Sequence, residues 1–173
     1  MKKIGIIGAM ELEVEELKSQ MEEVCVKEKA SMEFYQGTLN GKEVVVVRSG
    51  IGKVNAAVCT QILVDDFQAE AVINTGIAGS LKAEINIGDI VVSTDALQHD
   101  MDAREFGYPK GQIPQMNVFS FKADETLRKV AVECCKKANP DIQVIEGRVV
   151  SGDQFVASSE VKDELIREFA GSC

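Results

Sequence analysis

Four glutamates, Glu11, Glu13, Glu15 and Glu16, crowd the stretch GIIGAMELEVEEL (Gly5 to Leu17), where an apolar strand signal passes into a helical one. Acidic side chains suit a helix N-terminus, because the macrodipole favours negative charge there by about 0.3–1 kcal/mol each. Angular position sets one of the four apart. At about 100° per residue, Glu13 lies roughly 60° from the centre of the apolar stripe, whereas Glu11, Glu15 and Glu16 lie roughly 100–140° away. A carboxylate at the mouth of a sheet can orient a water and act as general base. From position alone a solvated first-turn acid competes with that reading, since charged residues are seldom buried without reason.

Glycine turns follow three strand signals: GIIGAM (Gly5, Gly8), RSGIGKVNAA (Gly50, Gly52) and NTGIAGS (Gly76, Gly79). Glycine at such turns is usually a backbone necessity, yet three of them opening on one sheet edge suggest close approach to a ligand. They are not phosphate loops. The first lacks the Gly-x-Gly-x-x-Gly spacing of a dinucleotide site, and its glutamates would repel a pyrophosphate. In SGIGKV, a P-loop would need glycine at Val47 and a hydroxyl at Val54 to hold magnesium.

The elements that must position these residues can be read from periodicity. Strands are expected at Ile4–Ile7, Glu33–Leu39, Val44–Arg48, Ala71–Asn74, Asp89–Ser93 and Gln143–Val150, most of them rich in Val and Ile. LNGKE, between the second and third, is an Asn-Gly hairpin turn. One helix is expected over 10–24, with Met10, Val14, Leu17, Met21 and Val24 on its buried face. Another is expected over 123–138, with Leu127, Val130, Ala131, Cys134 and Ala138. Further helices are expected over 53–66 and 158–169, the last with Gly171 as its cap. Interleaved strands and helices with one tight hairpin imply an α/β sandwich around a mixed sheet, with sites at strand C-terminal ends. Met101–Phe119 carries Gly107, Pro109, Gly111 and Pro114 without a clear period, so it reads as a long loop of the kind that often carries function.

Composition narrows the classes. With 173 residues, 45% of them hydrophobic, the chain can bury one substantial core, and a single domain over 1–173 is expected. No apolar run approaches the roughly 20 residues of a membrane span, and the N-terminus turns acidic too early for a signal peptide, so a cytoplasmic protein is expected. A net charge of −9 opposes binding to nucleic acid, which needs clustered Lys and Arg. Five scattered cysteines and the lone His99 show neither zinc spacing nor a disulfide framework, so structural thiols are expected and His99 is assigned no role. The last helix runs into EFAGSC with no following strand, and the chain is expected to be C-terminally truncated.

Taken together, KIGIIGAMELEVEEL, GTLNGKEVVVVRSGIGKVNAA, VINTGIAGS, IGDIVVSTDALQHDMDAREFGY and VVSGDQFV resemble one family over nearly the whole chain. It is the 5′-methylthioadenosine/S-adenosylhomocysteine nucleosidases of the nucleoside phosphorylase superfamily. The resemblance implies a three-layer α/β/α sandwich with a central mixed sheet, usually a homodimer. It also implies hydrolysis of the bond between adenine and a 5′-thio-substituted ribose, without metal or organic cofactor. Breaking that bond builds positive charge on the ribose and negative charge on the base. The enzyme therefore needs an acid near adenine, a carboxylate near the sugar and a positioned water, a division of labour parallel to glycoside hydrolysis.

By the same resemblance Glu13 matches the water-activating glutamate. Phe155 matches the ring that packs on adenine, and Val156 the residue whose backbone reads the base edge. Ala78 and Gly79 match the turn beside the nucleoside. Met10, Ile51, Phe106, Tyr108 and Pro114 match the apolar lining for the alkylthio group, part of it given across the dimer. Such a lining suits a thioether and rejects a 5′-phosphate.

Two departures stand out. Ile77 occupies a position where many members carry a small hydroxylic residue. The family's ribose-binding Met-Glu pair and the Ser-Asp segment whose aspartate protonates adenine do not occur in this sequence, a loss expected to weaken transition-state stabilisation by several kcal/mol each, on the order of an oxyanion-hole donor. The alternatives are a purine nucleoside phosphorylase, another nucleosidase of the superfamily, such as one for AMP or futalosine, and a non-catalytic adenine-nucleoside-binding fragment. Phosphorolysis is disfavoured because a phosphate dianion beside Glu13 would be repelled.

Overall fold

A computed structural model describes residues 3–173, which fall into two compact units, one reaching as far as Ile77 and the other running from Ala78 to Cys173. In the first, β1 (Ile4–Gly8) leads through a 3₁₀ turn (Glu11–Glu13) into the short helix α1 (Glu15–Ser19). Then come β2 (Glu22–Lys29), β3 (Met32–Leu39), β4 (Lys42–Arg48), α2 (Lys53–Asp65) and β5 (Ala71–Asn74). The strands form one mixed sheet in the order β2-β3-β4-β1-β5, with β4, β1 and β5 parallel. The expected hairpin closes β3 on β4 through Asn40 and Gly41, both at positive φ, as a type I′ turn requires.

The valine run of β4 is explained by burial on both faces of the sheet. Val45 and Val47 pack with Ile7, Phe34, Cys59, Leu63 and Phe67 on one side, and Val44 and Val46 pack with Ile6, Val14 and Met21 on the other. Phe34 and Phe67 stack with ring centroids 5.1 Å apart. α2 approaches β1 so closely that a Cβ on Gly5 would come within 2.8 Å of Leu63.

The helix expected over 10–24 is corrected by the structure. Val14 and Met21 reach the core as anticipated, but helical backbone ends at Ser19 and Glu22–Lys29 pairs antiparallel with β3. The pairing supplies a ladder of backbone bonds that Glu and Lys helix propensity does not outweigh. Glu23 takes a positive φ of 53° where the register shifts between Glu22 and Cys25. Val24 is therefore exposed rather than part of a buried stripe, and the charged strand makes a blunt sheet edge.

The second unit contains β6 (Ile90–Gln98), a 3₁₀ turn (Arg104–Phe106), β7 (Phe121–Lys122), α3 (Glu125–Ala138), β8 (Val144–Ser151) and α4 (Ser159–Phe169). Its mixed sheet has the order β7-β6-β8, with β6 and β8 parallel. The side chains of Asp124 and Ser158 cap α3 and α4, accepting from the backbone N–H of Leu127 and Val161. Leu81, Leu97, Leu165 and Phe169 form the core. β6 runs five residues beyond the expected Ser93, because Asp95 inside it is paired with Arg148 of β8, Nη2 to Oδ2 at 2.7 Å.

Two further expectations are corrected here. α3 sets Leu127 and Ala131 half-buried but leaves Val130, Cys134 and Ala138 exposed. Its inner face is turned to include Arg128, whose Nε lies 3.0 Å from the Glu146 carboxylate on β8. At the end of α4, Ala170 rather than Gly171 takes the left-handed cap conformation. Gly171 instead allows close packing, since a Cβ there would come within 2.7 Å of Leu81. Ser172 N–H then donates to Arg148 O, and Cys173 O accepts from Val150 N–H, both at 2.8 Å along β8.

Candidate active site

The parallel strands β4, β1 and β5 bring their carboxyl ends together, Gly8 beside Arg48 and Ile7 beside Asn74. The three glycine-bearing turns thus start from one edge of one sheet. Backbone bonds tie them: Ser49 N–H donates to Gly8 O and Thr75 N–H to Ile7 O, each at 2.9 Å. The buried hydroxyl of Ser49 adds a donor bond to Gly50 O at 2.9 Å. The only mark of Ser49 in the sequence is a polar residue set between a valine run and a glycine turn.

Glu13 sits at this edge. Its Oε2 accepts from Met10 N–H at 2.8 Å and its Oε1 from Ile77 N–H at 2.9 Å. Both oxygens are therefore oriented by backbone donors from two different turns, and each keeps a further lone-pair direction for another partner. Two glycines make room for this pose. A Cβ on Gly76 would come within 2.7 Å of the Glu13 carboxyl carbon, and one on Gly8 within 2.9 Å of Glu13 Cβ and 2.7 Å of Val14. The neighbouring acids are engaged elsewhere or exposed. Glu11 pairs with Lys18 at 2.7 Å and Arg48 at 3.7 Å, Glu16 accepts from Gln20, and Glu15 is exposed. Glu13 alone of the four is half-buried. Ile77 contributes through its backbone, so a hydroxylic side chain at that position is not needed for this contact.

The other predicted site residues divide between the units. Met10, half-buried, and Ile51, exposed, belong to the first with Glu13. Ala78, Gly79, Phe106, Tyr108, Pro114, Phe155 and Val156 belong to the second. There Phe106 is exposed on its 3₁₀ turn, while Tyr108 and Pro114 are half-buried. The Tyr108 hydroxyl accepts from Gln115 N–H at 3.2 Å, which braces the loop. Phe155, 96% exposed, stands on the irregular segment between β8 and α4 next to Val156. A separate polar hollow lined by Thr94, Asp95, Lys122, Ala123, Glu125 and Arg128 includes none of these residues.

The sequence model of the Phosphorylase superfamily matches residues 3–173. A 5′-methylthioadenosine/S-adenosylhomocysteine nucleosidase of Halalkalibacterium halodurans is 45% identical over 169 residues, covering 98% of this chain and 72% of that protein. The structure is similar to that of a nucleosidase of the same name from Colwellia psychrerythraea in complex with adenine, at a TM-score of 0.94 and 40% identity, over 99% of this chain and 71% of that one. It is also similar to the Neisseria meningitidis nucleosidase in complex with methylthio-immucillin-A, at 0.93 and 41%, over 99% and 73%. The chain belongs to the phosphorylase superfamily and, within it, to the family of 5′-methylthioadenosine/S-adenosylhomocysteine nucleosidases. No helix among the described residues is long and apolar enough to cross a membrane.

Proposed function

We infer that this protein is an N-glycosyl hydrolase that cleaves 5′-methylthioadenosine and S-adenosylhomocysteine into adenine and a 5′-thioribose. The observation that carries the mechanism is the Glu13 carboxylate held on both oxygens at the meeting of two strand-end turns. A water bound to the remaining lone pairs is aimed by a fixed base; its proton passes to Glu13 as its oxygen bonds to the anomeric carbon, while the bond to adenine breaks with its electron pair leaving on the base, which takes up a proton from solvent. The developing positive charge on the ribose is stabilised by the same carboxylate. Phe155 offers an uncovered ring for stacking on the purine, and Val156 its backbone for the base edge. Ala78 and Gly79 flank the nucleoside. Met10, Ile51, Phe106, Tyr108 and Pro114 take the alkylthio group, whose apolar surface gains from leaving water.

The protein acts, in this reading, as a cytoplasmic homodimer. Support for the dimer comes from α2, which is apolar on two sides. Cys59, Ile62 and Leu63 are buried in the first unit, while Val54, Ala57 and Val58 face outward and exposed. An exposed apolar patch on a helix whose other face is already buried marks a surface that a partner covers, and a second copy of the chain is the proposed cover.

Adenine release from 5′-methylthioadenosine in phosphate-free buffer tests the reaction. Turnover without phosphate, lost by a factor of about 10²–10⁴ in Glu13→Gln, is the expected result, the usual scale of a general base. Turnover that requires phosphate, or that survives in Glu13→Gln, overturns it.

A further inference from the structure

β6 and β8 run parallel as far as the pair Gln98 and Ser151, and the two segments that leave them, His99–Asp100 and Gly152–Asp153, stay side by side. His99 N–H donates to Ser151 O at 2.9 Å, extending the ladder by one bond. Asp153 N–H donates to Oδ2 of Asp100 at 2.9 Å, a charge-assisted bond of the stronger kind. The His99 ring, 5% exposed, lies against Gly152. A Cβ on that glycine would come within 2.5 Å of His99 Nε2, 2.7 Å of Cε1 and 3.0 Å of Asp100 Cγ. Gly152 does not have a left-handed backbone. Its lack of a side chain is required by the imidazole and the carboxylate, not by chain geometry.

Three residues beyond Gly152 comes Phe155, almost wholly exposed, on a segment without regular structure. A ring offered to a ligand from such a segment keeps its place only if the backbone upstream is held. We propose that His99 and Asp100 are positioning residues that clamp the Gly152–Asp153 turn and thereby set where Phe155 and Val156 meet the adenine base. The inference rests on the nucleosidase reading above and adds two residues that the chemistry itself does not use. His99 fills the space a side chain at 152 would take, and Asp100 fixes the following peptide. Disturbing either leaves Glu13 untouched and loosens the base side alone.

Three measurements on the full chain test this, with Asp100→Ala, Asp100→Asn and Gly152→Ala as variants. Amide hydrogen exchange of the ligand-free protein reads the clamp directly. Amides 152–156 are expected to exchange at least ten-fold faster in Asp100→Ala and Gly152→Ala, with β6 and β8 unchanged. Asp100→Asn, which keeps a side-chain oxygen acceptor, restores most of the protection. Calorimetric adenine affinity is expected to fall about ten-fold in the first two variants, with KM for 5′-methylthioadenosine rising more than kcat falls. Unaltered exchange across 152–156 in both variants overturns the clamp whatever the reaction proves to be. Faster exchange with adenine affinity unchanged overturns the positioning role. A wild-type chain that neither releases nor binds adenine overturns the nucleosidase reading and the positioning role with it, an outcome distinct from the other two.

Discussion

Replacing Gly76 by alanine would drive a methyl carbon into the carboxylate of Glu13, because the site of its Cβ is already occupied by Oε1 and lies 2.7 Å from Cδ. Gly76→Ala is therefore expected to lose kcat/KM on 5′-methylthioadenosine by about 10²-fold although Glu13 is still present, the scale of an ångström-level misplacement of a catalytic group. An unchanged thermal midpoint beside that loss separates misplacement from unfolding. A second residue-scale expectation concerns Asp95. Arg148 holds this carboxyl below the usual carboxylate range, with Ser120 and Thr94 adding hydrogen bonds. The folded protein thus binds the proton less readily than the unfolded chain. The stabilisation is fully present above the unfolded value of about 3.9 and is lost as pH falls through the lower folded value. Asp95→Asn is expected to cost about 2 kcal/mol in urea unfolding at pH 7, and the gap to wild type narrows in strongly acidic buffer.

Among the elements, α2 bears on assembly. Its inner face is filled by Cys59, Ile62 and Leu63, and its outer face places Val54 and Val58 in solvent when the chain is alone. A glutamate at position 54 would have to be desolvated by any partner surface laid over it. For the homodimer proposed above, Val54→Glu is therefore expected to shift sedimentation from dimer to monomer while leaving the circular dichroism unchanged. β2 shows a different balance at the same scale. Glu22–Lys29 has helix-forming glutamates and lysines, yet it is held as an edge strand by β3. Its local preference yields to a row of backbone bonds that only the partner strand can supply.

At the scale of the molecule, each unit carries a buried thiol, Cys59 in the first and Cys173 in the second, while Cys25 and Cys134 are exposed. Burial pushes the Cys59 thiol up to about 11 and raises that of Cys173. Neither is expected to react with iodoacetamide in the native protein at pH 8, because the thiolate is the nucleophile. Cys25 and Cys134 are expected to react at once. We propose that residues 1–173 fold as a single domain, in keeping with one superfamily match over 3–173. Cys59 and Cys173 should then become reactive at the same urea concentration. Separate midpoints would show two independently folding units.

Local chemistry made much of this protein legible in its sequence. The valine run of β4, the Asn-Gly hairpin and the periodicity of 53–66 and 158–169 each express a preference of neighbouring residues, and each recurs in the structure at nearly the expected bounds. Glu13 is the half-buried one of the four glutamates, as its angle led one to expect, but it stands on a 3₁₀ turn and not on the α-helix that the angle assumed. Resemblance to a family then supplied a chemistry that periodicity could not. Other features depended on residues far apart in the chain. The strand at Glu22–Lys29 needs β3, the inner face of α3 is set by the approach of Glu146 to Arg128, and β6 runs past Ser93 with Asp95 matched by Arg148. The pose of Glu13 itself depends on the Ile77 N–H, 64 residues away, and on the empty space beside Gly76. A side chain's type is written in the sequence, whereas its orientation is set by donors and neighbours that only tertiary contact brings within reach.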